Sequence, residues 1–145
     1  MTRQDEDGKA DYRLDDQIGY VLRLASQRHA AIFQALSEHG LTPTQFSALI
    51  RIDEVGPCSQ NQLGRLTAMD VATIKGVVDR LRRKGFVGLS PDPTDKRRTT
   101  IALTAEGAAM MGDLRAMGHR VTRETLAPLD RDDQRRLLEL LARLA

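Results

Sequence analysis

Basic side chains are concentrated between residues 80 and 98 of this chain. The segment holds seven Lys or Arg residues against two Asp residues, an excess of five positive charges: Arg80, Arg82, Arg83, Lys84, Lys96, Arg97 and Arg98. The formal net charge of the whole chain is only +2, so the positive charge is local. Such a cluster predicts a polyanionic partner, and nucleic acid is the natural one.

A short helix is predicted before this cluster. In Ser59-Gln60-Asn61-Gln62, a serine is followed three residues later by a glutamine, which is the pattern of a capping box. We expect the helix to begin there and to turn Leu63 and Leu66 inward. The order of elements also places Gln60, at its first turn, close to the nucleic acid.

A second helix is predicted from Asp70, an N-cap residue type, to Gly85, a C-terminal cap residue type. Its apolar residues recur at helical spacing and predict a buried stripe: Val71, Ile74, Val78 and Leu81. The remaining residues face outward and are candidates for DNA contact, namely Ala72, Thr73, Lys75, Gly76 and Arg80. Since a major groove admits one α-helix, Thr73 and Lys75 are the expected base-edge readers.

A solvated helix face would carry similar residues, so none of them decides the function alone. Gly76 adds weight, because glycine inside a helix costs roughly 1 kcal/mol relative to alanine. We interpret it as a point of close approach, either by a packed neighbour or by DNA.

A β-hairpin follows the second helix. The segments 86–89 and 100–103 have the composition of short strands, and the turn between them is rich in Pro and Asp. Two helices followed by this hairpin, with Asp95-Lys96-Arg97 in the turn and Leu103-Thr104-Ala105-Glu106-Gly107 after it, resemble the MarR family of transcriptional regulators.

This resemblance covers nearly the whole chain and implies a fold: mainly α with a small β-hairpin wing, a winged helix-turn-helix with N- and C-terminal dimerisation helices. It also implies that Arg97 enters a minor groove, where an arginine meets enhanced negative potential. Asp95 is then expected to orient Arg97, with Lys96 and Arg98 beside it. Leu89 stands where many family members have a basic residue, so no phosphate contact is expected there.

Length and composition fit one small domain. We expect residues 1–14 to form a flexible acidic N-terminus and 15–145 a single domain, with dimerisation helices in 15–40 and 104–145 around a DNA-binding lobe at 42–103. The absence of a secretory leader and of a long apolar run favours a cytoplasmic protein with no membrane partner.

Cys58 is the single cysteine, so it cannot form an intrachain disulfide. Its place near a helix N-terminus could lower the pKa of the thiol and make it a redox sensor. A buried, inert cysteine is the commoner situation, and both interpretations stay open.

A long first helix, about Asp15 to His39, carries an apolar face that includes Ile18, Leu22 and Phe33. His29 lies within that face and is more often a core residue than a ligand group. The segment 15–33 also resembles the branch of the family that controls catabolism of aromatic acids or their coenzyme A thioesters. The resemblance implies a pocket for a small aromatic acid or acyl-CoA effector.

The predicted pocket draws on two helices. Arg23 would pair with the acidic group, Ser26 and His29 would donate hydrogen bonds, and Phe46 from the next helix would supply an apolar wall.

The C-terminal helices are predicted to dimerise the protein. Met110, Leu114, Met117 and Val121 are spaced by four, three and four residues, and Asp130 caps a last helix rich in leucine. Those leucines exceed what one short helix can bury, so we expect a two-fold dimer that spaces its recognition helices by about 34 Å.

Two other classes of protein, an enzyme and an architectural DNA-binding protein, agree less well with the sequence. Enzymatic activity is not expected, because the chain lacks a His-Glu-x-x-His motif, a phosphate-binding glycine loop and a Gly-x-Ser-x-Gly turn. Neither a cofactor nor a metal is expected. An architectural winged-helix protein would share the wing, but it would not need Arg23 and His29 beside an apolar stripe.

Overall fold

A computed structural model describes residues 11–145, and residues 1–10 of the predicted acidic segment lie outside that range. After a 3-10 turn (Leu14–Asp16), the chain forms α1 (Ile18–Leu36), α2 (Pro43–Val55), α3 (Gln60–Leu66), α4 (Val71–Arg83), β1 (Val87–Pro91), β2 (Thr99–Leu103), α5 (Ala105–Ala109), α6 (Met111–Leu126) and α7 (Arg131–Leu144). The predicted class, mainly helical with one small hairpin, is confirmed.

Polar side chains fix where most helices begin. The caps are Thr42, Ser59, Asp70, Thr104 and Asp130, and each accepts a hydrogen bond from a backbone N–H in the first turn. At Thr42 the box is reciprocal through Gln45. At Ser59 only the serine half forms, by a bond from the N–H of Gln62. The predicted starts of α2, α3, α4 and α7 are therefore correct, although the box at α3 is incomplete.

Helix α1 is shorter than predicted at both ends. Gln17 has an extended backbone (φ −93°, ψ 135°), which separates α1 from the preceding 3-10 turn. At the other end Ser37 is extended, and His39 and Gly40 adopt the left-handed region with φ of 60° and 65°. These left-handed residues reverse the chain towards α2.

The winged lobe packs α2, α3 and α4 against the hairpin. Strands β1 and β2 are antiparallel, with Val87 opposite Leu103 and Pro91 opposite Thr99. Cys58 adds a bridge to the other edge of β2, because it exchanges two backbone hydrogen bonds with Ile101. Fully buried side chains fill the lobe, among them Leu49, Ile52, Leu63, Ile74, Val77, Val78, Leu81 and Ile101.

The apolar stripe of α4 differs from the predicted one in two residues. Val77 is buried, whereas Val71 is 69% exposed because it begins the helix beyond the edge of the core. In α3, Leu63 is fully buried but Leu66, at the last position, is 36% exposed. Helical spacing identified the buried side of each element but not where the core ends along it.

The helix predicted to run from Thr104 is divided at Met110 into α5 and α6. Gly107 explains the tight join between α5 and the lobe: a Cβ added there would lie 2.1 Å from the carbonyl oxygen of Phe86. Thr104 reinforces the join, since its hydroxyl donates to the Gly85 carbonyl and accepts from the Gly107 N–H. The Leu-Thr-x-x-Gly motif, here Leu103 to Gly107, therefore packs α5 against the lobe.

Helix α6 connects the lobe to α1. Met110, Met111 and Leu114 belong to the core of the lobe, whereas Met117 and Val121 form a second cluster with Phe33 of α1. All four predicted core positions of this segment are buried.

Helix α7 and the first half of α1 present apolar side chains to the outside. Large exposed residues on these helices are Ile18, Val21, Leu22, Leu24, Leu138, Leu140, Leu141 and Leu144. No residue of α7 is buried. Over residues 11–145, no helix has both the length and the apolarity needed to cross a membrane.

Candidate DNA-binding surface and ligand cavity

The outward face of α4 stands clear of the rest of the chain. Ala72, Thr73, Lys75 and Arg80 are exposed, and Gly76 is half-buried. A Cβ built at Gly76 would meet only the end of the Arg80 side chain, at 3.7 Å. Within the described residues, no packed neighbour accounts for the glycine at this position.

The backbone N–H of Thr73 and the side chain of Lys75, the two predicted base-edge readers, have partners at the cap and within α4. The Asp70 carboxylate accepts a 2.7 Å hydrogen bond from the Thr73 N–H, and hydrogen bonds from the backbone and side chain of Thr73 lower the pKa of Asp70. Lys75 Nζ lies 3.2 Å from Asp79 Oδ2. Both partners of that ion pair are substantially exposed, so it is weak and can be exchanged for a phosphate.

The tip of the hairpin presents Arg97 to solvent. The side chain of Arg97 is 92% exposed, and its Nε lies 3.3 Å from Asp95 Oδ1, which also accepts the Arg97 N–H at 3.1 Å. Arg98 Nε lies 3.9 Å from the other carboxylate oxygen of Asp95. The structure thus brings together Asp95, Arg97 and Arg98 as expected, while Lys96 is exposed beside them.

The turn that carries these arginines is built by Asp92. Its Oδ1 accepts bonds of 2.8 Å from both the N–H and the hydroxyl of Thr94, and its own N–H donates to the Arg98 carbonyl. The Thr94 hydrogen bonds lower the pKa of Asp92, and the positive charge of Arg98 adds to this effect. At neutral pH the turn is therefore closed by an ionised carboxylate.

Cys58 does not have the properties of a redox sensor. It is 3% exposed, and burial raises the pKa of its thiol. Of the two interpretations left open by the sequence, burial in the core beside β2 supports the inert cysteine. A protonated, enclosed thiol is a poor nucleophile.

The predicted ligand residues separate into two neighbouring cavities. Ser26 and His29 line a cavity of about 300 Å³ between α1, α6 and α7, together with Leu22, Ala25, Thr122, Thr125, Leu126, Leu137, Leu138 and Leu141. Phe46 lines a second cavity of about 280 Å³ between α2 and α6, with Ile50, Arg115, Gly118, His119 and Thr122. Thr122 borders both. Arg23 is exposed on α1 and lines neither cavity of this protomer.

Contacts between α1 and α6 fix the polar wall of the first cavity. His29 Nδ1 lies 3.0 Å from Thr125 Oγ1, and the Arg28 guanidinium donates to the carbonyls of Glu124 and Thr125. Leu22 and the α7 leucines supply the apolar part of the lining. The cavity therefore combines a largely apolar lining with a few hydrogen-bonding groups.

Positive charge lies at the second cavity, which the sequence did not indicate. Arg115 and His119 stand one turn apart on α6, and Arg115 forms an ion pair with Asp53 of α2. Phe46 packs edge-on against Phe33 with ring centroids 5.6 Å apart, so it is partly a core residue. Spacing along α6 could have suggested this pair, because Arg115, His119 and Thr122 share one helix face.

Comparison with known proteins places this geometry in a family. The MarR family model matches residues 41–99. The HTH-type transcriptional repressor NicR of Pseudomonas putida is 37% identical over 134 residues, which are 92% of this chain and 85% of NicR.

Two solved structures have the same fold over most of the chain. A probable transcriptional regulator from Pseudomonas aeruginosa is 53% identical with a TM-score of 0.88, over 92% of this chain and all of that one. BpsR of Bordetella bronchiseptica is 32% identical with a TM-score of 0.88, over 93% of this chain and 97% of its own, and its DNA binding is regulated by 6-hydroxynicotinic acid.

Proposed function

This chain belongs to the MarR family of transcriptional regulators, and we propose that it is a homodimeric repressor that binds duplex DNA and is released by a small aromatic acid. One observation carries the DNA-binding part: the wing holds Arg97 outward on Asp95, at the end of the same lobe whose helix α4 is exposed. Such a protein acts on the chromosome, so we place it in the cytoplasm and assign it no catalytic role.

We assign α4 to the major groove and the hairpin tip to the adjacent minor groove. The basic residues of α4 and the wing form one positive region, which supplies phosphate contacts without base specificity. Arg80 and Arg98 are the proposed phosphate contacts, with Lys96 and Gln60 at the edges of the region. Lys75 joins them after exchanging Asp79 for a phosphate.

Dimerisation is supported by the leucines of α7 and the outer half of α1. Isolated exposed leucines are ordinary, but a continuous apolar face across two helices marks an interface. Two copies related by a two-fold axis would cover this face and present two α4 helices to one side of the DNA.

The proposed effector site comprises the two cavities that share Thr122. An aromatic ring would lie against Leu22 and the leucines of α7, and His29 and Ser26 would bind its polar edge. A carboxylate needs a cation when it is removed from water. Arg115 offers one in the second cavity after exchanging Asp53 for the ligand, His119 offers a hydrogen bond beside it, and Arg23 is a second candidate that would reach the site from the partner protomer.

Helix α6 provides the route from ligand to DNA. It lines both cavities near Thr122, and at its other end Met111 and Leu114 lie in the core of the winged lobe. A ligand that binds more tightly to one position of α6 would shift the separation of the two α4 helices. Release of DNA follows when that separation no longer matches the half-sites.

The decisive experiment is fluorescence anisotropy with a labelled duplex from the upstream region of the protein's own gene. The protein is titrated alone and with a panel of aromatic acids and their coenzyme A thioesters, beginning with 6-hydroxynicotinic acid. We expect one compound to release the duplex. Tight binding that every compound leaves unchanged would favour an architectural protein without an effector.

Single variants test the assignment of the cavity. His29→Ala is expected to reduce the response to the active compound while leaving DNA affinity in its absence unchanged, because His29 lies on α1, away from α4. Arg23→Ala distinguishes a site within one protomer from a site completed by the partner. If Arg23→Ala and His29→Ala both respond like the wild type, the cavity is not the effector site.

A further inference from the structure

We infer that α4 recognises thymine methyl groups in its operator through contacts with Val71 and Ala72. This inference rests on the proposed insertion of α4 into the major groove, and it adds the chemistry by which the helix distinguishes one sequence from another.

Val71 is an exposed aliphatic residue at the start of the helix that we assign to the major groove. It is the first residue of the helix and is 69% exposed, whereas the valines at positions 77 and 78 of the same helix are each 1% exposed. An exposed aliphatic side chain is stabilised when a partner removes it from water. Within the described protomer nothing covers it.

The polar groups beside Val71 are engaged in part. The Thr73 N–H is bonded to the Asp70 cap, and Lys75 is held in a weak pair with Asp79. Hydrocarbon is exposed between them, namely the isopropyl group of Val71 and the methyl group of Ala72, and Gly76 has no side chain. The exposed start of α4 presents hydrocarbon, with basic residues following one turn later.

Hydrocarbon can recognise one feature of the major groove. The C5-methyl group of thymine is the apolar group that a base pair displays there, and contact with apolar side chains is its usual mode of recognition. Gly76 allows the helix axis to approach the bases, because no side chain holds it away. A short side chain such as that of Ala72 can then contact a thymine methyl group, which it would not reach if the helix axis lay farther from the bases.

The test uses a duplex selected from a random library by the full-length protein, with its contacted positions located by footprinting. Each thymidine in the footprint is replaced in turn by deoxyuridine, which removes only the methyl group and keeps the hydrogen-bonding pattern. Loss of one buried methyl predicts about fourfold weaker binding at a contacted thymidine.

A double-mutant cycle assigns the methyl group to its partner. Val71→Ala is expected to weaken binding to the thymidine duplex and to lose most of the sensitivity to deoxyuridine at one position in each half-site. Val55→Ala is the matched control, since Val55 is an exposed valine on α2, and it should behave like the wild type on both duplexes.

The possible outcomes separate the inference from the proposed function. Suppose that a duplex is selected and its contacted positions are footprinted, but deoxyuridine has no effect at any of them. Methyl recognition is then wrong, while DNA binding stands. If deoxyuridine acts equally on wild type and Val71→Ala, Val71 is not the reader. If no duplex is enriched, the proposed function fails and the inference fails with it.

Discussion

Arg97 combines full exposure with a fixed orientation, because one carboxylate oxygen of Asp95 accepts both its N–H and its guanidinium. We expect Arg97→Ala to weaken binding to all duplexes alike. The plot of log affinity against log salt should become less steep by about two, one for each wing of a dimer. Anisotropy titrations at several salt concentrations measure both effects.

An exposed arginine away from the proposed DNA surface serves as the control for Arg97. Arg131, the first residue of α7, should tolerate alanine without a change in salt slope. A change in sequence preference with Arg97→Ala, at an unaltered slope, would mean that the wing reads bases and α4 supplies the phosphate contacts.

Gly107 gives a second prediction at the scale of one residue, this time for stability. Gly107→Ala places a methyl group 2.1 Å from the Phe86 carbonyl oxygen, so the join between α5 and the lobe must open. We expect a loss of about 2 kcal/mol or more in the free energy of unfolding, measured by urea denaturation.

Gly112 is the matched control, because a Cβ there meets nothing within 4 Å. Gly112 lies in the first turn of α6, so Gly112→Ala should leave stability unchanged or raise it by up to about 0.5 kcal/mol. Equal effects of the two substitutions would show that helix propensity, and not the Phe86 contact, determines the role of Gly107.

At the scale of an element, the start of α4 and the turn of the wing each depend on an ionised aspartate. The folded-state pKa values of Asp70 and Asp92 are lowered from the ordinary 3.8, so the unfolded chain binds more protons around that pH. Stability is therefore present above about pH 3.8 and falls as the pH is lowered through the folded-state values. Thermal melting between about pH 5 and pH 3 measures the fall.

The double variant Asp70→Asn, Asp92→Asn isolates the titration of these two groups. Asparagine is also a good N-cap and turn residue, but it has no charge to lose. The melting temperature of the double variant should depend less on pH than that of the wild type over the same range. An identical dependence would assign the acid sensitivity to other carboxylates.

The start of most elements was predictable from the sequence, and their depth in the core was not. Caps such as Thr42 and Asp70 act within one turn, so a local pattern suffices to identify them. Val71 and Leu66 were expected to be buried because they have the right spacing, but they lie at the ends of short helices where the core does not extend.

The candidate sites show the same difference: contacts between near neighbours in the sequence were predictable, and contacts between distant residues were not. Asp95 and Arg97 are two residues apart, and their contact follows from the turn. The cavities assemble side chains nearly one hundred residues apart, such as Ser26 and Thr122, and depend on how α1 packs on α6. The bridge from Cys58 to Ile101 of β2 also joins residues far apart in sequence, and it decides between the two interpretations of the thiol that the sequence left open.

For the whole molecule, the apolar face of α1 and α7 predicts that assembly and DNA binding fail together. Leu141→Arg puts a charge in that face, and we expect sedimentation to show a monomer whose affinity for the duplex is strongly reduced, because one half-site is lost. Val55→Arg, also at an exposed apolar position, is the control and should remain a dimer. A dimeric Leu141→Arg variant would place the interface elsewhere.

The pair of backbone hydrogen bonds between Cys58 and Ile101 has a mechanical consequence. It anchors β2 at its middle residue to the segment before α3. The strands of the hairpin are therefore held against the lobe, and the hairpin cannot move as a whole without breaking these bonds. We expect backbone motion to be largest at residues 92–98, so the strands lose little conformational freedom when the arginines meet DNA, and the ordering cost falls on the tip. Amide hydrogen exchange should accordingly be slow at Cys58 and Ile101 in the free protein and fast only at the tip.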